Sequence, residues 1–161
     1  MKRLVVYYSL SGNTEEAAKK IAGKIGADLL KLETKKRMPK GFAAQILVGG
    51  GQVMMNHIPE LVPYGIDLSD YDEIVLGSPI WNGKGVPAVN AFLKDEDTAK
   101  KVTALFFLSA GGDTEKGLKA ITNKLPNLKT SVSLLDRKQA DSRDNDAKIE
   151  AFMRAIGEMG S

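Results

Sequence analysis

Leu4-Val5-Val6-Tyr7-Tyr8-Ser9-Leu10-Ser11-Gly12-Asn13-Thr14 is the stretch on which the reading of this chain turns. Its first half is a continuous run of β-branched, aliphatic and aromatic residues, the pattern of a strand buried on both faces. Its second half is short, polar and flexible. From Glu15 onward Ala17, Ala18, Ile21, Ala22 and Ile25 recur at helical spacing, and Gly26 is a natural stop. Strand, hydroxyl-rich turn and helix thus follow one another within 26 residues. The backbone N–H groups that open such a helix are unpaired, and its dipole favours an anion there. Ser9, Ser11 and Thr14 add hydroxyls, Asn13 an amide, and Gly12 a backbone free to turn sharply. These groups suit a phosphate monoester. The competing reading is that the same residues only cap the helix.

The rest of the chain repeats the alternation. Asp28 to Thr34 reads as a second strand, Glu73-Ile74-Val75-Leu76-Gly77 as a third, Val102 to Leu108 as a central fourth and Ser131 to Leu135 as a fifth. Between them fall helical patterns. Pro87 stands at the first turn of one that carries Val89, Phe92 and Leu93. Asp113 or Thr114 can cap another with Leu118, Ile121 and Leu125, and Ile149, Phe152, Met153 and Ile156 form the stripe of a last helix. Five strands alternating with helices predict an α/β fold, a parallel sheet with helices on both faces. The stretch from Lys35 to Asp70 breaks the rhythm. It holds Phe42, Ile46, Leu47, Val48 and Gly49-Gly50-Gly51, and reads as part helix or as a lid, with Pro59, Pro63 and Gly65 marking irregular chain.

Length and composition agree. The 161 residues fit one domain spanning 1–161, large enough to bury a core without staples. The absence of cysteine excludes disulfides, thiol catalysis and iron–sulfur ligation, and is compatible with a reducing, cytoplasmic setting. The apolar run after Met1-Lys2-Arg3 is too short for a secretion signal, and no stretch approaches a membrane span, so no membrane insertion is expected. The 23 basic and 20 acidic residues leave a net charge of +3, mostly interspersed. Lys35, Lys36, Arg37 and Lys40 form one basic run, read first as a solvated loop; no nucleic-acid surface is recognisable.

In a parallel sheet of this kind ligands sit beyond the carboxyl ends of the strands. After the third strand, Ser78-Pro79-Ile80-Trp81-Asn82-Gly83-Lys84-Gly85 puts the only tryptophan at the mouth of the sheet, where it can cover a flat ring or simply pack on a neighbouring loop. After the fourth, Ser109-Ala110-Gly111-Gly112-Asp113 offers small residues that let backbone N–H groups approach a ligand edge.

These three segments together resemble the flavodoxins. Ser9-Leu10-Ser11-Gly12-Asn13-Thr14 resembles the phosphate loop of that family, Tyr71 to Trp81 its third strand and flavin loop, and Phe106 to Gly112 its fourth-strand loop, in the same order from about Met1 to Glu158. The resemblance implies a flavodoxin-like three-layer sandwich with five parallel strands in the order 2-1-3-4-5, and non-covalent FMN as cofactor. It implies that Ser9, Ser11, Asn13 and Thr14, with the N–H groups of Leu10 and Gly12, hold the phosphate. Pro79, Ile80, Trp81, Asn82 and Gly83 would line one side of the isoalloxazine, and Ser109, Ala110, Gly111 and Gly112 its other side or pyrimidine edge. Two features depart from the family pattern: the chain is basic where flavodoxins are commonly acidic, and no tyrosine stands between Ser109 and Asp113 to stack on the flavin.

The function implied is electron transfer between redox partner proteins, by a monomer or weak homodimer, with no catalytic side chain of its own. The first alternative is an FMN-dependent NAD(P)H oxidoreductase acting on quinones or similar small acceptors, with residues 35–70 walling a pocket. A phosphoacceptor receiver is disfavoured because Tyr8, Ser9, Ser78 and Pro79 stand where its acidic residues belong. A binding module that has lost its flavin is disfavoured by the intact hydroxyl-rich loop. The single histidine, His57, reads as structural or exposed, since a metal site needs several convergent ligands.

Overall fold

A computed structural model of the chain describes residues 1–36, 58–81, 84–109, 115–136 and 143–159. The elements, in chain order, are β1 (Arg3–Tyr7), α1 (Asn13–Ile25), β2 (Asp28–Lys31), a short 3-10 helix at Leu68–Asp70, β3 (Glu73–Trp81), β4 (Lys84–Gly85), α2 (Pro87–Phe92), α3 (Glu96–Lys101), β5 (Val102–Ser109), α4 (Glu115–Thr122), β6 (Thr130–Leu135) and α5 (Asn145–Glu158). Five strands run parallel in the order β2-β1-β3-β5-β6, and β4 adds antiparallel to the end of β3. Counting only the parallel strands, this is the expected 2-1-3-4-5 order.

Alternation along the strands builds two apolar faces. Val5, Tyr7, Val75, Ala104, Phe106 and Leu108 face α1 and α5, meeting Ala18 and Ile21 from the former and Phe152 and Ile156 from the latter. Leu4, Val6, Ile74, Leu76, Leu105 and Phe107 face the other layer, with Val89 and Phe92 of α2, Ala99 of α3 and Ile121 of α4. Every residue of β5 is buried, as a strand covered on both faces requires. The packing is tight enough to dictate a glycine: a Cβ on Gly77 would meet the Phe106 ring at 2.2 Å. Phe106 in turn meets Phe152 edge-on, with centroids 6.4 Å apart.

Several elements match their sequence signals closely. Gly26 closes α1 in the left-handed conformation at φ 63°, and Pro87 occupies the first turn of α2. Three differ. The third strand does not stop at Gly77 but continues to Trp81, because Ile80 and Trp81 pair with Gly85 and Lys84. Ser78 to Trp81 and Lys84–Gly85 are therefore strand rather than loop. The stretch before β5 contains a second helix, α3, where a single helix from Pro87 was expected; Asp95 caps it by accepting from the Thr98 N–H at 2.9 Å. The second strand ends at Lys31, and Thr34 instead forms an isolated antiparallel bridge with Leu61. Of the irregular stretch, residues 37–57, with His57, Arg37, Lys40 and the triple glycine, lie outside the described residues, as do Asp113 and Thr114. Among the described residues no helix is long and apolar enough to cross a membrane.

The amino edge of the sheet is held by charge. Glu73, nearly buried, accepts from Arg3 Nε at 3.0 Å and faces Lys129 Nζ at 3.6 Å, while Arg3 Nη2 donates to the Ile156 carbonyl at 3.3 Å. Such a buried carboxylate is tolerable only with its cations in place.

Candidate functional site

From β1 the chain crosses to β2 on one side, then returns to β3 on the other. The crevice between the carboxyl ends of β1 and β3 is therefore the switch point at which ligands bind in open parallel sheets. Strand register brings the segments named above to this edge. Tyr7 lies beside Gly77, and the Tyr8 N–H donates to the Gly77 carbonyl at 3.2 Å. Pro79 lies beside Leu108, one residue before Ser109.

The turn into α1 is built around Gly12, the helix N-cap, at φ 95° and ψ −13°. Left-handed backbone of this kind is strained for any residue with a Cβ. Among the described residues no side chain accepts a hydrogen bond from the first-turn N–H groups of α1. The reading of Ser, Asn and Thr as mere caps therefore loses its support, and the first-turn N–H groups of α1 are left for another acceptor. One N–H behaves differently: that of Gly12 donates to Ser9 Oγ at 3.0 Å, within the loop. The Ser9 hydroxyl proton remains available as a donor. Thr14 is buried at the mouth of the helix, while Ser11 and Gly12 are exposed and Ser9, Leu10 and Asn13 are half-buried.

Two acidic residues, Glu15 and Glu16, share this first turn. Glu15 is neutralised where it stands. It bonds Lys19 Nζ at 2.7 Å and Lys31 Nζ at 3.0 Å, and these contacts hold its carboxyl below the usual range. An anion at the helix start thus meets a compensated carboxylate.

At the end of β5, Ser109 is 6% exposed and its Oγ is the one buried side-chain polar atom among the described residues without a hydrogen-bond partner. Such an atom is costly unless something outside the described protein groups pairs with it. Pro79 and Ile80 lie half-buried in the final turns of β3, and Ile80 packs on the core. Trp81 is placed by its backbone pairing alone. Asn82, Gly83, Ala110, Gly111 and Gly112 lie outside the described residues.

Beside the α1 turn lies a cavity of about 320 Å³, walled by Asn13, Lys20, Leu108, Leu134, Arg143 and Asn145, among others. The α5 residues here carry no motif and were missed by sequence reasoning. Asn145 is the informative one: its side-chain amide donates to the Leu135 carbonyl at 2.7 Å and accepts from the Leu135 N–H at 3.0 Å. It stands in for a neighbouring strand at the open edge of β6. Among the described residues no group of His, Cys, Asp or Glu is placed to hold a metal ion.

A doubly wound sheet with an uncapped helix start at its switch point defines a class of phosphate-binding α/β proteins. Within that class, the family model described as Flavodoxin matches residues 2–151, and the chain belongs to that family. No curated protein sequence matches it. Among solved structures it is similar to a flavoprotein from Lactobacillus acidophilus NCFM crystallised in complex with FMN. The identity is 25%, the TM-score 0.67, and the match covers 91% of this chain and 97% of that one. A flavodoxin, WrbA-like protein from Agrobacterium tumefaciens matches at 18% identity and TM-score 0.62, over 97% and 95% of the two chains. A flavodoxin from the domain Archaea matches at 16% and 0.59 over the full length of both. The last two likenesses speak to the fold.

Proposed function

We propose that the chain, as one domain, carries electrons on a non-covalently bound FMN, exchanging them with partner proteins. The observation that carries this reading is the uncapped start of α1 at the switch point. Its open N–H groups, with the hydroxyls of Ser9, Ser11 and Thr14 and the amide of Asn13, match a phosphate that must be recognised by neutral donors. Ser109 Oγ, without a partner among the described residues, supplies a second point of fit, where a carbonyl- and N–H-edged ring would complete a buried hydrogen bond. FMN offers both ends, and membership of the flavodoxin family supports the same choice.

The roles in this reading are those that the family resemblance implies. Ser9, Leu10, Ser11, Gly12, Asn13 and Thr14 hold the phosphate, and the Gly12 N–H reaches it only by leaving Ser9 Oγ. Pro79, Ile80, Trp81, Asn82 and Gly83 would line one side of the ring, and Ser109, Ala110, Gly111 and Gly112 its other side or its pyrimidine edge. Bound there, FMN supplies the capacity to accept and release electrons. The protein orients it and sets its surroundings. The residues assigned to the flavin are hydroxyls, amides, small residues and apolar groups, none of which is built to move a substrate proton, and this favours a carrier over a stand-alone reductase.

Calorimetric titration of the flavin-free protein tests the reading. FMN is expected to bind and riboflavin to bind much more weakly, with NADH and NADPH oxidised no faster by the loaded protein than by free FMN. Equal affinity for FMN and riboflavin removes the phosphate site. Rapid NAD(P)H turnover with a quinone replaces the carrier by the reductase.

A further inference from the structure

A cavity walled by described residues lies away from the flavin crevice. It measures about 510 Å³, within the range of small-molecule pockets. α2 starts at the carboxyl edge of the sheet and, through α3, returns the chain to the amino-terminal end of β5. α4 likewise leads down to β6. The cleft lies between these two descents, lined by Leu93, Lys94, Ala99 and Lys100 from the first and by Lys124 and Pro126 from the second.

Its floor is apolar, and lysines outnumber carboxylates in its lining. Lys100 has a carboxylate partner, Asp97, at 2.9 Å. Lys94 and Lys124 have no ion-pair partner among the described residues, and Glu96 is the one carboxylate in the lining. Lys124 Nζ bonds only a neutral group there, Asn90 Oδ1, at 2.8 Å. Burial without a compensating acid pushes its ammonium pKa down. The chain leading into Ile58, at the cleft's rim, cannot mend the balance, because residues 37–57 contain no Asp or Glu. Lys124 stands at the solvent edge of the cleft, and a cation whose bonded partner is neutral gains from an incoming anion.

We propose that this cleft binds a small amphipathic carboxylate, its apolar body on Leu93, Ala99 and Pro126 and its head group taken by Lys94 and Lys124. The site is independent of the flavin crevice, so it stands or falls separately from the electron-carrier reading.

Octanoate and its neutral counterpart 1-octanol are the probes, titrated into nitrogen-15-labelled protein with FMN in excess and followed by amide chemical shifts. Octanoate is expected to give saturable shifts centred on Asn90, Lys94 and Lys124, and 1-octanol to bind about tenfold more weakly. Lys124→Gln is expected to bring octanoate down to the level of 1-octanol, while Lys124→Arg, which keeps the charge and guards against misfolding, retains most of the affinity. Shifts at the Ser9 to Thr14 loop instead, equal binding of the two probes, unchanged binding by Lys124→Gln, or no binding at all overturns the proposal.

Discussion

Replacing Ser109 by Ala separates the flavin-free and flavin-bound states by sign. In the flavin-free protein the Ser109 hydroxyl is buried at the end of β5 with no partner among the described groups. Leaving such a group unsatisfied costs about 1–3 kcal/mol, so removing it should stabilise that state by about 1 kcal/mol after allowing for the small void left behind. For a domain of this size, that corresponds to a rise of roughly 2–4 °C in Tm. If the ring sits as proposed, the same hydroxyl gains a partner in the flavin-bound protein, and its removal should forfeit a bond worth about 1 kcal/mol. Affinity feels both changes. FMN should bind more weakly by about 2 kcal/mol, or about thirtyfold. The assays are thermal unfolding of the flavin-free variant and titration with FMN, followed by quenching of flavin fluorescence. A flavin-free Ser109→Ala protein that melts lower than the parent, or one that binds FMN as tightly, refutes the assignment of Ser109 to the ring.

Three further outcomes are expected. Gly77→Ala drives a Cβ to within 2.2 Å of the Phe106 ring, and Phe106 is locked against Phe152; overpacking of this kind should cost about 3 kcal/mol in urea denaturation. Arg3→Ala leaves Glu73 at the amino edge with only Lys129, at 3.6 Å, and should destabilise by about 3 kcal/mol; Glu73→Gln made in the same background should recover part of that loss. Asp95 accepts from the hydroxyl and N–H of Thr98, which hold its carboxyl below the usual carboxylate range. A folded pKa below the unfolded one means that its contribution is complete above about pH 4 and is lost as pH falls through the folded value. Asp95→Asn, still a capping acceptor, should therefore flatten the fall in urea midpoint between about pH 5 and about pH 3, and an unchanged fall removes Asp95 from the acid response.

The order of strands and helices, the buried faces and the position of the hydroxyl-rich turn before α1 are determined by the sequence itself. The reason is local. Continuous apolar runs such as Leu4 to Tyr8 and Val102 to Leu108 admit few other readings, and Gly26 and Pro87 punctuate helices through backbone preferences that need no distant partner. What only tertiary structure decided depends on residues far apart in the chain. β3 runs on to Trp81 because Lys84–Gly85 folds back to pair with it, although Ser78-Pro79 reads as the start of a loop. Asn145 mimics a strand against Leu135, and no local pattern distinguishes that role from a helix start. The absence of a cap on α1 is likewise invisible in Ser9 to Thr14, since the same side chains could have turned onto the helix. Gly77 looks like the end of a strand in sequence, yet what excludes a side chain there is Phe106, 29 residues on, pressed across the sheet. Periodicity and turn chemistry act between near neighbours, whereas pairing, close contact and an unpartnered Ser109 hydroxyl exist only once distant segments have met.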